Sequence, residues 1–166
     1  MTRAERLSET SAVLYREARL LDTQQWDEWL AMYGPNCVYW VPAWDGEHTM
    51  TDDPNAEISL IYYPSRAGLE DRVWRIRSGR SIASVPMVRT THTVSNVELL
   101  RDEEDSCDLC SSWTVHLYRT KRKEQQTLFG RYEHTLQRVD ASWKITRKKI
   151  TLVNDTISTM VDVYCL

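Results

Sequence analysis

The chain has 166 residues, of which 42% are hydrophobic and 27% charged, with 21 Lys/Arg against 24 Asp/Glu and a formal charge of −3. This balance excludes disordered and fibrous classes, and the small net charge gives no general pull towards nucleic acid. The length predicts a single domain over residues 1–166 with one sizeable core. No apolar run approaches the roughly 20 residues needed to cross a bilayer, and residues 1–22 show neither an h-region nor a small-residue cleavage site. A cytoplasmic protein is therefore expected, with no membrane partner, and Cys37, Cys107, Cys110 and Cys165 are expected to be reduced thiols. Seven Trp and eight Tyr stand against one Phe, so nearly every ring carries a polar edge suited to an interface or a ligand as well as to a core.

In chain order, Leu7, Leu14, Ala18 and Leu21 share one helical face, and the same pattern turns Arg16, Glu17 and Arg19 outward. Asp22 and Gln25 read as a capping box for a second helix through Trp26, Leu30 and Tyr33, ended by Gly34-Pro35. Residues 37–41 are β-branched and aromatic, which predicts a buried strand. Residues 42–56 are rich in turn residues, and 58–62 suit a short strand stopped by Pro64. A helix is expected from a Ser65 cap through Leu69, Val73 and Ile76 to Gly79. From residue 91 the period changes to two. Segments 91–100, 110–119, 126–138 and 142–153 are joined by short polar turns, which predicts an antiparallel meander. The apolar phase slips from Trp143 and Ile145 to Ile150 and Leu152. A β-bulge across Arg147-Lys148-Lys149 would account for it and bend the sheet. Helices packed on a strongly bent antiparallel sheet make an α+β cone with an open pocket.

The chemical motifs are sparse. His48, His92, His116 and His134 are scattered over a loop and separate strands, which does not suit a two-His-one-carboxylate iron site. Cys107-Asp108-Leu109-Cys110 has no second ligand pair to complete a zinc site and enters a strand rather than opening a helix. The paired Cys/His motif of a Rieske cluster, a phosphate loop and a dinucleotide fingerprint are all missing. His134 shares a strand face with Leu128, Tyr132 and Leu136. It reads either as a core histidine bonded to a neighbour or as a general base at the mouth of the cone. His92 with Asp53 permits the same two readings. Residues 111–166 carry ten Lys/Arg and five Asp/Glu, but the clusters fall at a turn and at the bulge, where solvated charge is the default.

Several stretches are similar to the small (β) subunits of aromatic-ring-hydroxylating dioxygenases, in the benzoate, toluate, anthranilate and 2-halobenzoate branch. They are LYREARLLD (14–22), WLAMY (29–33), YWVPAWD (39–45), EISLIYYPSRAGLEDRVWRI (57–76), THTVSNVELL (91–100) and NDTISTMVDVY (154–164). The resemblance implies a cystatin-type cone like that of nuclear transport factor 2. It also implies an α3β3 hexamer built from a β trimer and three large α subunits, with no nucleic acid. The α subunit would carry a Rieske [2Fe-2S] cluster and mononuclear iron, supplied with electrons from NADH through a reductase, and would perform the cis-dihydroxylation in aromatic catabolism. The β chain would then hold no metal, cofactor or catalytic residue and would be inactive alone.

Two functional expectations follow. In the first the chain is a structural subunit. The aromatic and charged set Trp40, Trp44, Asp52, Asp53, Tyr62, Tyr63, Arg66, Glu70, Asp71 and Arg72, around a turn-rich loop, would then form an interface core with a charged rim. In the second the chain is a free-standing dehydratase or isomerase of the same cone, with His92 or His134 as base and Asp53 as its orienter.

Overall fold

Helix α1 (Arg3–Asp22) starts at a complete capping box: Thr2 Oγ1 accepts the Glu5 N–H at 3.2 Å, and the Glu5 carboxylate accepts the Thr2 N–H at 2.6 Å. The computed structural model describes residues 1–81, 84–155 and 161–166; residues 156–160 of the stretch 154–164 lie outside the described residues. Helix α2 is short (Trp26–Ala31), and Gln25 rather than Asp22 occupies its N-cap. Asp22 ends α1 instead, and its carboxylate is committed to strand β3 (Arg89–Asp102). Gly34-Pro35 does not terminate a helix. Both residues lie inside strand β1 (Tyr33–Pro42), where a break in register between Tyr33 and Val38 accommodates them. Strand β2 (Ser59–Tyr63) and helix α3 (Arg66–Arg77) fall where the sequence places them, although Ser65 makes no side-chain cap bond.

Strands β3, β4 (Ser106–Arg119), β5 (Glu124–Val139) and β6 (Ser142–Leu152) form the expected meander. The sheet has six strands in the order β2-β1-β6-β5-β4-β3, and β1 joins β6 in parallel while every other neighbour is antiparallel. The bulge is present, centred one residue earlier than the basic run. Thr135 faces Arg147 and Leu136 faces Ile145, which leaves Thr146 without a partner on β5. The insertion shifts the alternation by one residue, so Trp143 and Ile145 before it and Lys148, Ile150 and Leu152 after it all turn inward and are buried.

The helices cover this inner face, α1 against β3 and α3 against β1. Between them lie Trp29, Trp113, Leu109, Leu117, Leu128, Leu136 and Ile150, all nearly inaccessible. Trp113, Val115 and Leu117 point in, while Thr114, His116 and Tyr118 point out, as the alternation predicts. Gly130 faces a close backbone approach: a Cβ there would stand 1.8 Å from the Thr151 carbonyl oxygen and 3.2 Å from the Trp113 indole nitrogen.

Candidate functional site

A charged cluster is buried between α1 and β6. Glu17 on α1 is 2% exposed and Lys148 on β6 is 1% exposed. The Lys148 ammonium donates to both carboxylate oxygens, at 2.8 and 3.0 Å. Glu17 Oε1 also accepts from the Trp29 indole at 3.3 Å and from the Tyr33 hydroxyl. His134 Nε2 lies 3.7 Å from Glu17 Oε2. The ammonium stands 4.3 Å from the centre of the Tyr132 ring and 5.8 Å from that of Tyr39, which adds cation–π attraction.

The electrostatics follow from this packing. Burial opposes the charge on Glu17, but the Lys148 ammonium beside it, together with His134, holds the carboxyl well below the usual carboxylate range. Burial lowers the Lys148 ammonium, and Glu17 opposes that shift. Burial also pushes His134 below the ordinary imidazole range, against the attraction of Glu17. Tyr33, Tyr39 and Tyr132 are held well above the ordinary phenol range, first by burial and next by the Glu17 charge. The resting state is a carboxylate–ammonium pair beside a neutral imidazole. A general base needs a free lone pair facing substrate and a proton path to solvent; His134 is 1% exposed, and neither ring nitrogen has a hydrogen-bond partner among the described residues.

The sequence pattern reached His134 but turned Glu17 outward, which the structure corrects. Its signal is present: Glu17 falls three residues after Leu14 and four before Leu21, both buried on the same stripe. Lys148 was recoverable as well, two residues before Ile150 on the inward phase that follows the bulge.

His92 does not meet Asp53. Its Nδ1 lies 2.5 Å from Asp22 Oδ1, its backbone N–H donates to Asp22 Oδ2 at 2.9 Å, and Thr90 Oγ1 donates to the same carboxylate at 2.8 Å. Burial opposes the Asp22 charge, yet these bonds keep its carboxyl below the ordinary range. The cluster fastens the end of α1 to β3. Asp53 is exposed; its carboxylate accepts from Asn55 N–H at 2.9 Å, and the backbone N–H groups of Asp52 and Asp53 donate to Glu57 Oε2 at 2.8 and 2.9 Å. The proposed pairing of His92 or His134 with Asp53 therefore has no geometric basis.

The predicted interface set is divided in the same way. Trp40 is buried, its indole donating to Ser59 Oγ at 2.9 Å under the Lys149 ammonium. Tyr63 lies against Tyr39 and over Gly68, where a Cβ would come within 2.4 Å of its ring. Arg72 is spent on Asp162, itself buried and accepting the Val163 N–H at 2.7 Å; the pair pins the C-terminal turn to α3. Trp40 and Arg72 are spent on partners inside the chain, and Tyr63 is half-buried with its ring packed internally. Trp44 and Tyr62 remain half-buried, Asp52, Asp53, Glu70 and Asp71 exposed, and Arg66 half-buried with its guanidinium on Glu70 at 2.9 Å and on the Tyr33 carbonyl at 3.1 Å. The Trp44 indole donates to the Leu152 carbonyl at 2.7 Å, and Trp44 bridges to Met50, so the loop is anchored to β6. Ile58 (79% exposed), Leu60 and Trp74 lie out in solvent beside it; the sequence pattern did not single them out, since isolated apolar residues in a short strand or helix read as core.

Among the described residues no cluster of three or more His, Cys, Asp or Glu could hold a metal ion. Cys107 and Cys110 are three apart on β4, so one faces the core and the other the outer surface. The donors among the described residues thus fit neither an iron–sulfur cluster nor a mononuclear iron. No described helix is long and apolar enough to cross a membrane.

Helices α1, α2 and α3 on a bent six-stranded sheet, with an ion pair buried between α1 and β6, define a cone-type α+β domain. A chain of naphthalene 1,2-dioxygenase shares this fold, with a TM-score of 0.79 at 18% identity over 99% of this chain and 87% of that one. A family model described as the ring hydroxylating beta subunit matches residues 16–159, and the chain belongs to that family. It is 46% identical to the toluate 1,2-dioxygenase subunit beta of Pseudomonas putida, over 91% of this chain and 92% of that one. It also resembles the crystal structure of the beta subunit of benzoate 1,2-dioxygenase from Burkholderia mallei, with a TM-score of 0.80 and 38% identity over 96% of each chain.

Proposed function

We propose that this chain is the structural small subunit of a dioxygenase that cis-dihydroxylates an aromatic carboxylate, and that it contributes no reacting group. The observation that carries the reading is the match of residues 16–159 to the β-subunit family; beside it, the Glu17 carboxylate and the Lys148 ammonium are spent on each other in the buried interior. Membership of the β-subunit family supports a large subunit as partner. The substrate class comes from the relatives, whose names specify toluate and benzoate. In this reading the large subunit holds the Rieske cluster and the iron, and a reductase delivers electrons from NADH in the cytoplasm. Three copies of each chain assemble as α3β3, with the Trp44 loop and the exposed Ile58, Leu60 and Trp74 lying at a subunit contact.

The test is co-expression with the large subunit of a benzoate-type dioxygenase. Benzoate turnover with reductase and NADH should require the large subunit, and the purified pair should elute at the mass of a hexamer. Conversion of benzoate by this chain alone would overturn the reading.

A further inference from the structure

The helices pack on the inner face of the sheet, and the outer face carries aromatic rings that nothing in the chain covers. Phe129, the one Phe of the sequence, is 42% exposed on β5, an interior strand of the sheet. Val153 lies beside it, its N–H donating to the Phe129 carbonyl at 2.9 Å, and Val153 and Tyr118 are exposed as well. A sheet face turned to water is ordinarily polar in its outward row, so grouped apolar side chains there mark a contact surface. Next to Tyr118 a shallow recess of about 160 Å³ opens between β3, β4 and β5, with His116, Gln125 and Arg89 also on its lining. It has room for one branched aliphatic side chain. The turn between β4 and β5 adds Lys121, Arg122 and Lys123, all exposed. This side of the molecule therefore offers a small hole with a basic rim.

The opposite arrangement stands at the β1–β2 side. Ile58 projects just before β2, 79% exposed. The loop that leads to it carries Asp45, Glu47, Asp52, Asp53 and Glu57, with no Lys or Arg between residues 43 and 58. The Asp53 and Glu57 carboxylates accept from backbone N–H groups, which leaves their negative charge in place. The loop is fixed at the end of the sheet where the basic turn also lies. The Trp44 indole holds the Leu152 carbonyl, Leu152 faces Gly130 on β5, and from Gly130 strand β5 leads back to Glu124 and the turn. Knob with acidic rim and hole with basic rim are different surfaces of one chain at one end of its sheet. Such a pair meets head to tail between copies, and apolar contact inside a rim of opposite charges is the make-up of a specific interface.

We infer that a second copy of this chain docks here head to tail, with Ile58 of one copy seated in the recess beside Tyr118 of the next and the acidic loop lying against the basic turn. The inference deepens the proposed assembly by assigning its contact between small subunits. Its test leaves the large subunit out, so its failure would leave the oxygenase role standing. The experiment is sedimentation velocity of the full chain alone, up to about 0.5 mM, with circular dichroism as the folding control. The unaltered chain should associate reversibly. Ile58→Ser should weaken association by about tenfold or more. Reversing the turn (Lys121→Glu/Arg122→Glu/Lys123→Glu) or the loop (Asp45→Lys/Glu47→Lys/Asp52→Lys) should each weaken it by at least about tenfold, because like charges then face one another. All six changes are at exposed positions. Combining both reversals restores opposite signs across the contact and should return the affinity to within about threefold of the unaltered chain. The proposal is overturned if the unaltered chain stays monomeric over that range. It is overturned equally if Ile58→Ser or either reversal leaves association unchanged, or if the combined chain associates no better than the single reversals.

Discussion

Replacing Lys148 by Met keeps the length of the stem and removes the ammonium, leaving the Glu17 carboxylate with only the Trp29 and Tyr33 donors and a neutral His134. At a separation near 3 Å, the lost attraction is about 5–6 kcal/mol for an effective dielectric constant of about 20. Part of it is returned because the ammonium no longer has to be desolvated. Breaking a buried pair from one side typically costs about 3–5 kcal/mol, and Lys148→Met should fall in that range. Glu17→Gln alone should cost as much, since it strands the ammonium. The double variant Glu17→Gln/Lys148→Met removes both charges, while the new amide oxygen still accepts from Tyr33 and Trp29. Its loss should be below about 2 kcal/mol, far less than the sum of the two singles. Urea unfolding at pH 7.5, followed by circular dichroism, measures all four chains. A single-variant loss below about 1 kcal/mol, or a double variant as unstable as the sum, would refute the buried pair.

Stability should fall on acidification below neutrality. The folded chain holds Glu17 below its ordinary range and His134 below its own. The His134 contribution is full above about pH 6.5 and is lost as the pH falls, and the Glu17 contribution follows below about pH 4.3. Urea midpoints should decline from pH 7 to 5 and decline less in His134→Gln; a flat or rising midpoint would contradict the sign. Gly130→Ala should cost more than about 3 kcal/mol, because the new Cβ would meet a backbone oxygen at 1.8 Å that only a sheet distortion can move; thermal melts give the answer. Trp44→Ala should weaken subunit association by about 2 kcal/mol in analytical ultracentrifugation while circular dichroism stays unchanged, although loss of its bond to the Leu152 carbonyl should loosen the loop.

The meander, the bulge and the inward row Trp113, Val115, Leu117 were legible in the sequence because period-two alternation over long strands is a strong signal. The parallel β1–β6 pairing was not, since it joins segments a hundred residues apart and leaves no local pattern. Gly34-Pro35 misled for a related reason: turn chemistry states what the local chain tolerates, and here the sheet absorbed it as an irregularity in β1. Polar residues hid the candidate site. Glu17 and Lys148 look like solvated charges until each is seen to neutralise the other across α1 and β6, a pairing that only the tertiary structure reveals. Arg72 and Asp162 repeat the lesson at the C-terminus, where a rim charge on α3 proved to be half of an internal tie.

On the proposed reading the chain supplies no reacting group to the dioxygenase. The most direct test of that reading is the turnover per iron of a complex of the large subunit with the Glu17→Gln/Lys148→Met chain, at saturating benzoate and below the melting point of the variant. A kcat within about threefold of the unaltered complex is expected, a difference of about 0.65 kcal/mol or less in barrier. A fall by orders of magnitude in a complex that is fully assembled and fully loaded with iron would place the cone interior in the chemistry and contradict it.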